Sequence, residues 1–348
     1  MASSKKPPKG PGLQRSDPSN RTKKPNKKPK PKSNVWIVTG VERLPADIVA
    51  ARTVRQRLDA VWKWLPSAGS EAGRDPEAVH QLRVATRRGL AALDAFRDRL
   101  PEKRTAWFEK RLRRIRRAAG EARDLDVLSE RLAKDSMLRR ADASPAHGTD
   151  GLGGKARRRL VAMLAKQRDV SHRPIRLQLE KMIEADWPAR VDHLLDGLDA
   201  ESSRTVFAAY AGRRFRPMIK RFFRLADRRL HDAEEMHSLR IEGKKLRYAM
   251  EIFASVFPDR VQSRCYESLE RLQATLGDFT DHASAADRFR RWADEKSARP
   301  NRDALEWLRR FEEARADEAR RHFTKWWNPS RRRTLLRRFE RTIRRDSA

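Results

Sequence analysis

The sequence predicts an all-α fold: two antiparallel helical bundles, produced by a tandem duplication and related by an approximate twofold, that bury one shared face. Three observations carry this. Ala, Leu, Arg and Glu dominate the middle of the chain while alternating β-branched runs are scarce. Apolar residues recur at helical spacing behind prolines that suit a helix start. One segment recurs 157 residues later with the same residue types.

The elements follow in chain order. Residues 1–34 hold eleven Lys/Arg and one Asp among Pro and Ser, a net of +10, and read as a disordered Lys/Pro-rich basic tail. Val35-Trp36-Ile37-Val38 is the one strand-like piece. Helices are expected after Pro45, Pro76 and Pro101, and a loop at Ser144–Gly151. The segment Asn328–Ala348 carries a net of +6, with Leu335, Leu336, Phe339 and Ile343 at helical spacing, as in a docked basic helix. The domain proper spans 35–345, with a first repeat at about 46–199 and a second at about 203–345.

The repeat sets Val79-His80-Gln81-Leu82-Arg83-Val84-Ala85-Thr86-Arg87-Arg88 against Met236-His237-Ser238-Leu239-Arg240-Ile241-Glu242-Gly243-Lys244-Lys245. The same offset carries Leu112, Ile115, Gly120 and Asp124 onto Leu269, Leu272, Gly277 and Asp281. At roughly 100° per residue, Arg83 or Arg240 falls near 300° from its histidine and Arg87 or Lys244 near 340°. Arg247 falls near 280°, while Arg88 and Lys245 flank the stripe near 80°. Leu82, Ala85, Leu93 and Phe96 fall on the opposite, core-facing side, and Leu239, Leu246, Met250 and Phe253 repeat that pattern.

A solvated helix face alternates signs, as Arg309–Arg321 does with Glu312, Glu313, Asp317 and Glu318. The His–Arg stripe has no acid of its own. A row of like charges repels itself, and a bound anion relieves that repulsion. Arg suits phosphate because its planar fork donates two parallel hydrogen bonds.

The whole chain has 81 Lys+Arg against 48 Asp+Glu, a formal net of +33. Removing the tail and the last segment still leaves +17 on the middle. Such a surplus attracts nucleic acid, acidic membranes or inorganic polyanions without choosing among them. Cys265 is the only cysteine, which excludes an intrachain disulfide and fits a reducing compartment. The start has no apolar secretory core, and no apolar run approaches the roughly 18–20 residues of a membrane span. A cytoplasmic location is expected.

The patterns H-x-x-R-V-x-x-R-R at His80–Arg88 and H-x-x-R-I-x-x-K-K-x-R at His237–Arg247 resemble the paired signatures of the CHAD family, the conserved histidine α-helical domains. Leu276–Asp281 resembles the downstream Leu-Gly-x-x-x-Asp element, with a counterpart at Ala119–Asp124. The resemblance covers roughly residues 46–345. It implies paired four-helix bundles with a basic central groove or pore, binding of inorganic polyphosphate and, in some members, association with polyphosphate or storage granules. The binding residues it implies are His80, Arg83, Arg87, Arg88, His237, Arg240, Lys244, Lys245 and Arg247. Leu90 stands where the first repeat usually has a basic residue, so a weaker or asymmetric first half is expected.

Asp124 and Asp281 fit two readings: carboxylates that orient a His or Arg of the stripe from behind, or helix caps and ordinary surface acids. Gly120 and Gly277 fit a turn or a close helix contact better than ligand binding. His231-Asp232 has no companion spacing for a metal-dependent hydrolase, and the other histidines form no metal-ligand pattern. Cys265 has no His partner in sequence, and no phosphate-cradling Gly-rich loop or Glu-x-Glu-x-Lys signature exists. Trp62, Trp107 and Trp326-Trp327 read chiefly as packing. No catalytic residue, metal or cofactor is therefore expected. Polyphosphate binding is the first reading, and nucleic-acid or nucleoid binding through the basic tail and surface is the alternative. An enzyme acting on polyphosphate ranks third.

Overall fold

The computed structural model describes residues 40–70, 75–134, 154–198, 205–228, 230, 232–257, 259–295 and 301–344. All of them fall in the unit Trp36–Ala348. The basic tail, the strand-like Val35–Val38, the loop at Ser144–Gly151 and His231 lie outside the described residues.

The architecture is all-helical, as predicted. The helices are α1 (Ala46–Gly69), α2 (Pro76–Ala95), α3 (Glu102–Lys134), α4 (Gly154–Ser171), α5 (Arg173–Glu184), α6 (Trp187–Leu195), α7 (Phe207–Ala226), α8 (Ala233–Phe253), α9 (Asp259–Asp294), α10 (Arg302–Trp326) and α11 (Pro329–Arg344). Among the described residues the sole β feature is an isolated bridge between Pro45 and Val206. It joins the starts of α1 and α7, where Ala46 N–H donates to the Thr205 carbonyl at 2.9 Å and Phe207 N–H to the Leu44 carbonyl at 2.9 Å.

Proline places three of these starts. Pro76 occupies the first turn of α2, where its missing N–H costs nothing, and the Asp75 carboxylate caps Glu77 N–H at 2.8 Å. Pro45 and Pro101 sit one residue earlier, as the last residues before α1 and α3. Both precede the first turn, and Pro45 holds the entering chain extended.

Packing follows the apolar faces read from the sequence. Leu82, Leu93 and Phe96 of the first motif and Leu239 and Phe253 of the second are fully buried. Phe96 stacks on Tyr210 at 5.7 Å and meets Phe253 edge-on at 6.3 Å, which ties α2 to α7 and α8. Each such side chain contributes about 1.5–3 kcal/mol by leaving water. Phe339 reaches Phe215 and Phe223, so α11 docks on α7 as its spacing predicts.

Four helices frame the functional region. Helix α2 packs on α3, α8 packs on α9, and α2 also packs on α8. Leu125, Leu128 and Leu132 of α3 share a core cluster with Ala285, Phe289 and Trp292 of α9. The cationic edges of all four helices are thereby left facing one space. No described helix is long and apolar enough to cross a membrane.

Candidate functional site: a basic cleft between four helices

A cleft of about 390 Å³ opens among α2, α3, α8 and α9. His80, Arg83 and Arg87 enter it from α2, and His237 and Arg240 from α8. Helix α3 adds Arg123, Asp124, Val127, Leu128 and Arg131, and α9 adds Thr280, Asp281, Ser284, Ala285 and Arg288. The lining thus holds six arginines and two histidines against two carboxylates.

Arg83 and Arg240 are held by matching devices. Arg83 crosses α3 and donates from Nη1 to the Ala119 carbonyl at 3.2 Å. A Cβ on Gly120 would stand 3.2 Å from that nitrogen, and one on Gly277 would stand 3.5 Å from Arg240 Nη2. Both glycines lie inside long helices, so neither makes a turn. Gly120 leaves room for the Arg83 guanidinium to lie across α3, whereas a Cβ at Gly277 would make only ordinary contact with Arg240.

Asp281 Oδ1 is 3.5 Å from Arg240 Nη2, and Asp124 Oδ2 is 3.5 Å from Arg288 Nη2. These carboxylates sit in helix interiors, which removes the capping alternative, and each touches a cleft arginine. Glu121 also grips Arg288, with one contact at 3.0 Å. Arg131 donates to the buried Glu312 at 2.6 Å, and His282 shares the same carboxylate oxygen at 2.5 Å.

Electrostatics in the cleft oppose added positive charge. Burial, then Arg123, lowers the pKa of His80, with Arg87 and Arg83 acting the same way and Glu77 opposing. Burial, Arg240 and Lys244 lower that of His237. Lys244 does not line the cleft but stands beside it. Burial, Arg240, Arg87 and Arg83 bring its ammonium down to about 7, against the pull of Asp281.

Besides Lys244, three more of the residues implied by the motif do not line the cleft. Arg88 makes a two-point pair with the buried Glu251 of α8, Nε to Oε2 at 2.7 Å and Nη2 to Oε1 at 3.2 Å. Lys245 pairs with Glu242 at 2.6 Å on the outer surface. Arg247 turns away to donate to the Tyr266 hydroxyl at 2.8 Å, its guanidinium over the rings of Tyr248 and Tyr266. The expectation of a stripe with no acid of its own is corrected here. Glu251 falls near 320° on the same projection, two turns beyond Lys244, and its carboxylate also lies 3.8 Å from Arg57. Leu90, the counterpart of Arg247, does not line the cleft either.

Arg123, Arg131 and Arg288 were not anticipated. The signal for two of them was present, because Arg131 and Arg288 stand at the same 157-residue offset as the histidines. So do the lining pairs Asp124 and Asp281, Val127 and Ser284, Leu128 and Ala285, and Arg123 and Thr280. Cys265 is fully buried and its thiol is pushed up to about 12 by burial, so it is no thiolate nucleophile at neutral pH. Trp327 is buried and stacks against Phe323 and Trp326, in keeping with packing.

Comparison with solved structures defines the class: an all-helical protein with a CHAD-like fold. The CHAD domain from the plant Ricinus communis superimposes with a TM-score of 0.63 at 20% identity, over 83% of this chain and 95% of that one. PptA from Streptomyces chartreusis gives 0.54 at 19% identity, over 81% and 99%. The CHAD domain profile matches residues 52–290, and the chain belongs to the CHAD-domain family. Two uncharacterized proteins of Mycobacterium tuberculosis, from strains CDC 1551 / Oshkosh and ATCC 25618 / H37Rv, are 28% identical over 250 residues. The match covers 68% of this chain and 44% of theirs, so the chain spans about half the length of the curated relatives it matches.

Proposed function

We propose that the protein binds inorganic polyphosphate in the cleft between α2, α3, α8 and α9, as a binding protein rather than an enzyme. The observation that carries this is the convergence of six arginines and two histidines from four helices on one cleft with only two carboxylates. A single phosphate satisfies two or three forks. A linear polyanion presents charge at every unit and can satisfy all of them. Because the forks are held on helices, they lose little freedom on binding, and each charge-assisted hydrogen bond contributes about 1.5–3 kcal/mol.

The resemblance of the two motifs to the polyphosphate-binding family supports the same ligand. The residue pairs at one common offset support a duplicated chain in which each repeat supplies half of the cleft, the first at about 46–199 and the second at about 203–345. The contacting residues are then His80, Arg83, Arg87, His237, Arg240, Arg123, Arg131 and Arg288, with Lys244 beside them and Asp124 and Asp281 aligning the forks. Arg88, Lys245 and Arg247 serve the scaffold instead. Residence in the cytoplasm at polyphosphate-containing granules would follow from this affinity.

Converting Arg83, Arg87, Arg240 and Lys244 to Glu should abolish most polyphosphate affinity while circular dichroism and the melting temperature stay near the parent. Deleting residues 1–34 should leave polyphosphate binding largely intact and cut non-specific DNA affinity severalfold. Retention of polyphosphate by the charge-reversed cleft, with loss on deletion of the tail, would overturn the assignment. Phosphate release from polyphosphate in the presence of Mg²⁺ would overturn the non-catalytic part.

A further inference from the structure

A second cavity, of about 460 Å³, lies where α9 meets the junction of α10 and α11. It shares no lining residue with the cleft. Arg271 enters from α9, Arg331 and Arg338 from α11, and no acidic residue lines it. Neither Arg271 nor Arg331 has a carboxylate partner among the described residues. Their guanidinium groups lie over the Trp326 ring instead, at 5.4 Å and 4.6 Å from its centroid. The indole thus holds two forks in place without neutralising them.

Three enclosed nitrogens of residues that line this cavity lack acceptors. Trp327 lines it at 3% exposure, and its Nε1–H has no hydrogen-bond acceptor. Trp326 Nε1 and Arg331 Nη1 are likewise enclosed without a partner. The start of α11 faces the same space. Asn328 Oδ1 accepts Arg331 N–H at 3.0 Å, but the first turn contains no acidic residue to offset the positive end of the helix. Buried donors left without acceptors are costly, and here they sit beside uncompensated guanidinium charge.

We infer that this cavity, independently of the cleft, is a binding site for a phosphoryl group, carried by a small phosphorylated molecule or by a chain end. A carboxylate offers two oxygens and one charge. The Arg271 and Arg331 guanidinium groups and the helix start suit the terminal oxygens and near double charge of a phosphoryl group, and the enclosed indole N–H groups beside them would have to turn toward the ligand to donate. The volume exceeds what one phosphate fills and leaves room for the body that carries it.

The test uses the full chain labelled with ¹⁵N-tryptophan, with the Trp326 and Trp327 indole signals assigned through Trp326→Phe and Trp327→Phe. Pyrophosphate is titrated into the parent and into an Arg83→Gln, Arg240→Gln variant whose cleft is weakened. Both indole signals should move, in both proteins, with one saturation curve. Arg271→Gln with Arg331→Gln should raise the half-saturating concentration at least tenfold, and Arg331→Lys alone should raise it severalfold by losing the fork. Movement with long-chain polyphosphate but not with pyrophosphate would assign the phosphoryl group to a chain end. Indole signals that stay still with both ligands would overturn the proposal. So would a titration unaffected by the Arg271 and Arg331 changes. The spectra of the parent decide the matter even if the double variant fails to fold.

Discussion

Arg88 of α2 and Glu251 of α8 meet in a two-point ion pair at the packed edge between those helices, with Glu251 1% exposed. The pair ties α2 to α8 beside the two cationic stripes. Arg57 approaches the same carboxylate, and the Tyr266 hydroxyl donates to it at 2.9 Å. Removing the carboxylate leaves buried guanidinium charge without its partner. Glu251→Ala should therefore cost about 3–5 kcal/mol of stability, read from urea unfolding. Joint Arg88→Met and Glu251→Met substitution should recover much of that loss. A Glu251→Ala protein as stable as the parent would remove this pair from any scaffolding role.

The two glycines under the arginines should respond unequally to alanine. A glycine inside a helix costs roughly 0.5–1 kcal/mol relative to alanine. At Gly277 the added Cβ would make ordinary contact with Arg240, so Gly277→Ala should raise the melting temperature and leave polyphosphate affinity unchanged. At Gly120 the Cβ would stand closer, and Arg83 Nη1 must move by a few tenths of an ångström. Gly120→Ala should stabilise less and weaken polyphosphate binding severalfold, as read by melting and by competition binding.

Lys244 should link pH both to stability and to binding. Its pKa falls from an ordinary 10.5 to about 7 in the folded chain, chiefly through burial and then Arg240 and Arg87. Between those values the folded state holds fewer protons than the unfolded state, so this group's contribution to stability rises with pH. Lys244→Met should accordingly gain more stability at pH 6, where the native ammonium is charged, than at pH 10. A bound polyanion favours the ammonium. Polyphosphate binding at pH 8 should take up protons, and the uptake should shrink in Lys244→Met. Calorimetry in buffers of different ionisation enthalpy measures it directly.

The histidines should act in a lower window. Burial and neighbouring arginines or Lys244 depress both imidazoles, which favours their neutral form in the free protein. A phosphoryl neighbour favours the imidazolium. Polyphosphate affinity should rise as pH falls below about 6.5, and the His80→Ala, His237→Ala variant should flatten that rise. An identical pH profile in the double variant would assign both rings to packing and hydrogen bonding.

Much of this molecule is legible in its sequence, because helix-forming composition and apolar spacing act locally. Leu82, Phe96, Leu239 and Phe253 fall inward on a simple projection, and they are buried. The shared direction of His80, Arg83 and Arg240, away from that apolar side, follows from the same geometry. What the projection cannot carry is the partner brought by another helix. Arg88 reads as a flanking cation until α8 delivers Glu251, and Arg247 as part of the stripe until α9 delivers Tyr266. Arg123 has no marker, since its counterpart at the common offset is Thr280. Arg131 and Arg288 did have one, but it lies outside the histidine motif.

The cleft's paired lining is unequal. Arg123 faces the place that Thr280 takes on the other side, and Arg87 corresponds to Lys244, which stays beside the cleft. A groove between two identical subunits is forced to be alike from both ends. One continuous chain escapes that constraint, because each copy of the motif can change alone. The wall from α2 and α3 carries more cation than the wall from α8 and α9. A strand of identical phosphate units has no direction of its own; lodged here, it would acquire one.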